Sequence, residues 1–180
     1  MVYVLLGNGF EEIEAIAPID LLRRAGISVL TVGITGKTVY GGHNIGVEAD
    51  ITIDEMDLTD LEMIILPGGL GGVASARASQ QALDALRFAW ENGKLTAAIC
   101  AGPTVLADLG ITDGKNATCY PGCEGGMGSA IVDSAAASVT DGRLITGASP
   151  GCAVAFGLAL VAALKGPEAA ATVKEQFVIR

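Results

Sequence analysis

Leu95-Thr-Ala-Ala-Ile-Cys-Ala-Gly-Pro-Thr104 is the stretch on which the reading of this chain turns. Leu95 to Ile99 is a short apolar run that predicts a strand buried on both faces of a parallel sheet. Thr104-Val-Leu-Ala-Asp-Leu109 has helical spacing and is stopped by Gly110. Between them lie Cys100, Ala101, Gly102 and Pro103. Small residues allow a sharp turn, and Pro103 suits a first helical position. A side chain at such a strand-to-helix turn is pushed out at the carboxyl end of the sheet, beside free N–H groups of a helix start. The geometry is that of a nucleophile elbow with Cys in place of Ser. A thiol there is expected to ionise more easily than its unperturbed value of about 8.5. The competing reading is a small buried hydrophobe at a strand end.

Working outward, strands and helices alternate. Val2 to Leu6 predicts a first strand, and Glu11 to Ala25 a helix ended by Gly26 and kinked near Glu14 by Pro18. Ile27 to Val32 predicts a second strand. Thr38 to Asp50 reads as a small Gly-rich β excursion. Met63 to Leu66 predicts a third buried strand running into Pro67-Gly68-Gly69. Ser79 to Asn92 has amphipathic helical spacing. Thr112 to Gly128 is loop-like, with a short strand at Asn116 to Cys119. Asp141-Gly142 joins Ser138–Thr140 to Arg143–Thr146 as a hairpin. An apolar helix starts at Ser149 or Pro150, and a last one runs from Pro167 to about Gln176. This pattern predicts an α/β sandwich with a mostly parallel sheet. Its ligands would sit beyond the carboxyl ends of the strands, where Gly7–Glu14, Pro67–Gly72 and Cys100–Pro103 converge.

Composition narrows the function. The 180 residues, 51% hydrophobic with 25 glycines, suit a single domain with a substantial core. A net charge of −9 argues against nucleic acid and anionic membranes. Gly151 to Leu164 is shorter than the ~20 residues a membrane span needs, and no signal peptide is evident, so a cytoplasmic protein is expected. Four cysteines in a chain of this length do not form a disulfide scaffold.

A thiolate needs a partner. His43, the one histidine, lies in the Gly-rich excursion and reads as a surface or subunit-contact residue. Glu14, amid Ile13, Ile16 and Ala17, is better placed. Desolvation would raise its pKa, and its protonated form would donate to a Cys100 thiolate and shuttle protons. Backbone N–H groups of Gly68 and Gly69, with that of Ala101, would form an oxyanion hole. Gly69-x-Gly71-x-x-Ala74 loosely fits a dinucleotide fingerprint, but no Lys completes a P-loop. Glu12 stands where a third glycine would follow Gly7-x-Gly9. Cys119 and Cys123 lack metal-site spacing; if their loop folds over the elbow, Cys119 would be placed to resolve an oxidised Cys100.

Glu14, Leu66-Pro-Gly-Gly69 and Ala98-Ile-Cys-Ala-Gly-Pro103 together resemble the ThiJ/PfpI superfamily, in the branch of the human Parkinson-disease protein deglycase and its bacterial relatives. Glu11-Glu12-x-Glu14, Pro18-x-Asp20, Arg23-Arg24-Ala25-Gly26 and Ser149-Pro150-Gly151 extend the likeness over nearly the whole chain. The resemblance implies a flavodoxin-like three-layer sandwich spanning 1–180 as one domain of the class I glutamine amidotransferase-like kind, without cofactor or metal, and a homodimer. It implies that Cys100 is a reactive, easily oxidised cysteine contacted by a protonated Glu14, with Gly69 and Ala101 as backbone donors. It implies action on reactive carbonyls, as a glyoxalase or deglycase, or alternatively a redox-responsive, chaperone-like role. Two departures stand out. Ala101 occupies the place of the histidine that follows the nucleophile in the protease-like branch, which counts against peptidase or amidase activity. Tyr120, before Pro121, replaces a histidine of the human-like branch. His43 falls about where the family carries a basic residue near the dimer contact.

Overall fold

A computed structural model describes residues 1–179; Arg180, the last residue of the expected domain, lies outside the described residues. In chain order the elements are β1 (Val2–Leu6), α1 (Glu12–Arg24), β2 (Val29–Gly33), β3 (Thr38–Tyr40), β4 (Gly46–Glu48), β5 (Ile51–Thr52) and β6 (Met63–Leu66). There follow α2 (Leu70–Ala78), α3 (Gln80–Glu91), β7 (Leu95–Ile99), α4 (Pro103–Asp108), β8 (Asn116–Ala117), β9 (Ile131–Val132), β10 (Ser138–Asp141), β11 (Leu144–Gly147), α5 (Ala153–Lys165) and α6 (Pro167–Gln176).

The main sheet has seven strands in the order β10-β11-β7-β6-β1-β2-β5, parallel throughout except for β10. Leaving aside the two edge strands, the parallel core runs second–first–third–fourth–fifth, the flavodoxin-like order. Helices α1, α5 and α6 pack together on one face, and α2, α3 and α4 on the other, giving three layers. The central strands are apolar because both faces are covered: β1, β6 and β11 are buried at every position. The strand order changes direction between β1 and β6, so the carboxyl ends of these strands and of β7 open onto one crevice, the usual ligand position in such sheets.

The Thr38–Asp50 excursion forms the β3–β4 antiparallel hairpin. The late hairpin turns one residue later than expected: Asp141 pairs with Leu144, and Gly142, at φ 62°, takes the first turn position. Asn116–Ala117 pairs with Ile131–Val132, a partner that the loop-like composition concealed. The second strand begins at Val29 rather than Ile27. Helix α1 continues through Pro18. Helix α2 was not expected, because two glycines in its first turn oppose helix formation. Those glycines are required by close backbone packing. A Cβ on Gly71 would lie 2.8 Å from the Asn8 carbonyl oxygen, and one on Gly72 would lie 2.8 Å from Phe10 Cα. No helix among the described residues is long and apolar enough to cross a membrane.

Candidate active site

Cys100 stands one residue beyond β7 with φ 65°, a left-handed conformation that costs a non-glycine residue about 1–2 kcal/mol. The surroundings over-determine it. Its N–H donates to the Gly147 carbonyl at 2.9 Å, extending the β7–β11 register, and its carbonyl accepts the Tyr120 N–H at 2.9 Å. Ala101 and Gly102 then turn the chain into α4, with Pro103 at its first position. The predicted elbow is therefore present as geometry, and Cys100 is 9% exposed at the floor of a cavity of about 290 Å³.

Glu14 is fully buried in the first turn of α1. Its Oε2 accepts the Gly68 N–H at 2.9 Å, and its Oε1 makes no well-aligned hydrogen bond. The Glu11 N–H donates to the Gly68 carbonyl at 3.0 Å, so Gly68 joins the start of α1 to the end of β6 on both its polar groups. Burial raises the Glu14 carboxyl from 4.5 to about 7, against the lowering effect of the Cys100 thiol and the Gly68 N–H.

The expected easily ionised thiol is corrected by these surroundings. Burial first, and then the adjacent Glu14 carboxylate, push the Cys100 thiol up to about 12, while the Ala101 and Gly69 N–H groups pull it down. The helix behind the sulfur is only six residues long, so its dipole does not offset the loss of water. When Glu14 is ionised, the proton of the pair resides on sulfur. Glu14 is then a buried base beside a thiol, rather than an acid donating to a resting thiolate.

Gly69 (φ 85°) and Ala101 both present N–H groups to Cys100. The loops of Gly7–Phe10 and Gly68–Gly72 approach backbone to backbone; a Cβ on Gly9 would lie 2.7 Å from Gly71 Cα. These glycines therefore serve loop packing.

The cavity is lined by Glu11, Gly69, Leu70, Ala101, Tyr120 and Cys123 as well as Cys100. Tyr120 is thus at the site, tied to Cys100 through the backbone and half-exposed. Cys119, the expected resolving thiol, is 2% exposed and is not among the residues lining the cavity; burial pushes its thiol up to about 11. Cys123 was passed over in favour of Cys119, although the run Pro121-Gly-Cys-Glu-Gly-Gly126 marks a loop able to approach closely. Glu11, at the start of α1, also lies on the rim, a placement that nothing in its local sequence signals.

His43 does not reach Cys100. It sits on the exposed end of the β3–β4 hairpin, where its N–H and Nδ1 meet the two oxygens of Glu12, each at 2.8 Å, with Glu11 Oε1 3.7 Å from Nδ1. The hydrogen bond to Glu12 raises His43, helped by the charges of Glu11 and Glu12. Burial works to raise Glu12, but the His43 ring and the backbone N–H groups outweigh it and hold Glu12 low. The Glu11–Glu12–His43 cluster is thus accounted for by pairing of opposite charges.

A model of the DJ-1/PfpI family matches residues 1–163. Protein dj-1beta of Drosophila melanogaster is 38% identical over 168 residues, covering 92% of this chain and 89% of that protein. Its crystal structure superposes with a TM-score of 0.93 at 36% identity, over 99% of this chain and 97% of that one. The Parkinson disease protein 7 homolog of Danio rerio is 35% identical over 181 residues, 98% of this chain and 96% of that protein. A deglycase of Pyrococcus horikoshii is 31% identical over 150 residues, 83% of this chain and 90% of that protein.

Proposed function

The chain belongs to the DJ-1/PfpI family, and from that membership and the Cys100–Glu14 pair we propose that it is a cysteine-dependent, cofactor-independent enzyme acting on small reactive carbonyls such as methylglyoxal, glyoxal or early glycation adducts. The observation that carries this reading is a buried carboxylate, with a pKa near neutrality, placed against a thiol that floors an open cavity.

In the proposed addition step, the sulfur of Cys100 attacks an aldehyde carbon as Glu14 takes the thiol proton. The C–S bond forms while the carbonyl π bond opens, and no free thiolate need accumulate. The N–H groups of Gly69 and Ala101 steady the developing oxyanion, which then receives the proton as a hemithioacetal hydroxyl. For a dicarbonyl, Glu14 next carries a proton from the aldehyde-derived carbon to its neighbour. Water then cleaves the resulting thioester to a hydroxy acid and returns the thiol. Among the described residues, Glu11 is the charged one that lines the cavity, so uncharged carbonyls suit it better than carboxylates. Loss of methylglyoxal consumption in Cys100→Ser tests the mechanism; unchanged turnover in that variant rejects it.

A second reading, a redox-responsive protective protein, is favoured by the second thiol, Cys123, in the same cavity. Oxidation of Cys100 is then the functional event. Under either reading we propose a homodimer. Ile13, Ile16 and Ile45 are 50%, 45% and 57% exposed around an apolar groove of about 590 Å³ between α1 and the β3–β4 hairpin.

A further inference from the structure

Cys123 lines the Cys100 cavity, and the backbone joins the two residues in two hydrogen-bonded steps. The Tyr120 N–H donates to the Cys100 carbonyl, and the Cys123 N–H donates to the Tyr120 carbonyl, each at 2.9 Å. These two steps hold Cys123 beside Cys100 in the lining of one cavity. The other two cysteines are excluded by position. Neither lines the cavity: Cys119 is 2% exposed, and Cys152, between β11 and α5, takes a hydrogen bond from Ser149 Oγ to its sulfur at 3.3 Å. From this arrangement we infer that Cys123 is the resolving thiol of Cys100, forming an intramolecular disulfide after a hydroperoxide oxidises Cys100. The inference rests on the reading of Cys100 as the reactive thiol.

The segment that carries Cys123 is a short turn with open space beside it. Gly122 has φ 96°, and no atom lies within 4 Å of where a Cβ on Gly122 or Gly125 would be, so the turn has open space around it. Its ends are held, by the Tyr120–Cys100 hydrogen bond on one side and by fully buried Met127 on the other. A disulfide needs a Cα separation of ~4.4–6.8 Å, and this glycine-flanked turn is the part of the chain that would adjust to reach it.

The chemistry balances. The Cys100 sulfur attacks the outer oxygen of the hydroperoxide, the O–O bond breaks, and an alcohol or water leaves with the proton relayed by Glu14. Cys100 is then a sulfenic acid. The Cys123 sulfur attacks the sulfenic sulfur, the S–O bond breaks, and water leaves with the Cys123 proton. Two thiols have lost two electrons in all, and the hydroperoxide has gained them. The product closes the cavity reversibly and keeps Cys100 from climbing to the sulfinate.

The test uses wild type, Cys123→Ser and Cys119→Ser, each treated with hydrogen peroxide, blocked at free thiols and digested without reductant. Trypsin cutting after Lys94, Lys115 and Arg143 puts Cys100 on one peptide and Cys119 with Cys123 on another. Wild type and Cys119→Ser are expected to yield a linked peptide lighter by about 2 Da than the sum of its parts, reversed by dithiothreitol. Cys123→Ser is expected to yield no link and to reach the sulfinate, a gain of about 32 Da at Cys100, at roughly a tenth of the peroxide dose. Sulfinate at Cys100 of wild type with Cys123 still free, or a link that survives in Cys123→Ser, overturns the inference and leaves Cys100 as the reactive thiol. Absence of any oxidation at Cys100 in all three proteins overturns both.

Discussion

Gly68 donates its N–H to Glu14 Oε2 at 2.9 Å, and the same residue packs against both that carboxyl group and Cys100. A methyl on its Cα would lie 2.5 Å from Glu14 Oε2 and 2.7 Å from Cys100 Cβ. Gly68→Ala is therefore a wedge between acid and thiol. Its φ is not in the left-handed region, so the effect is steric rather than conformational. The substitution should destabilise the fold by about 1–3 kcal/mol. It should cut carbonyl turnover far more than that loss of folded protein accounts for, read as kcat/KM per folded molecule from active-site titration. Full specific activity in the folded fraction would show that the spacing of the pair is irrelevant.

The Glu14 carboxyl, raised by burial to about 7, sets two pH dependences of opposite sign. Because the base form accepts the thiol proton, kcat/KM should rise as pH increases through about 7. Stability should move the other way. The folded state binds this proton more tightly than the unfolded one, so the contribution is full below 4.5 and is lost as pH rises through about 7. The loss amounts to about 3 kcal/mol at most. Glu14→Gln should flatten both profiles and lower kcat/KM by about 10²–10⁴. Urea midpoints and rate profiles measured across this range check the two signs separately.

How much of this site could be read from the chain depends on how local each cause is. The elbow was legible because a buried strand, a Cys and a small-residue turn are contiguous from Leu95 to Pro103. Glu14 was legible because an acid amid Ile13, Ile16 and Ala17 is anomalous. The proton's position was not. Whether the thiol or the carboxyl holds it depends on burial contributed by β6, α1 and the Tyr120 loop together, and those segments meet only in the fold. Helix α2 escaped for a related reason: Gly71 and Gly72 oppose helix locally, and only the approach of Asn8 and Phe10 explains them. Cys123 gave no periodic signal, since its placement rests on its N–H bond to the Tyr120 carbonyl and on that of Tyr120 to Cys100.

The apolar groove beside α1 leads to a prediction about assembly. Ile45 is 57% exposed on the β3–β4 hairpin and faces the groove with Ile13 and Ile16. Ile45→Glu should convert a dimer into a monomer in sedimentation velocity, because an ionised carboxylate is costly to bury in such an interface. Wild type sedimenting as a monomer would remove the proposal.

His43 should be dispensable for chemistry. Its ring is exposed and held by Glu12, and it does not line the Cys100 cavity. His43→Ala should leave kcat/KM within about twofold, in line with the small energies of exposed ion pairs. A loss of orders of magnitude would place His43 in proton transfer and displace Glu14 from that role.

The left-handed backbone at Cys100 makes a prediction about stability that is independent of any activity. Ala at this position removes the sulfur but keeps the steric cost of φ 65°, whereas Gly removes both the sulfur and that cost. Elsewhere in a strand or helix Gly is the weaker residue by about 0.5–1 kcal/mol. Here the order should invert, with Cys100→Gly more stable than Cys100→Ala by about 0.5–1 kcal/mol in urea unfolding. Both substitutions lose the same packing of sulfur, and the methyl that Ala keeps works against the expected order, so an inversion reports the backbone. If Ala proves the more stable, the hydrogen bonds from Cys100 N–H to Gly147 and from Tyr120 N–H to the Cys100 carbonyl do not hold the elbow in this conformation in solution. The sulfur would then sit deeper in the sheet than the addition step requires.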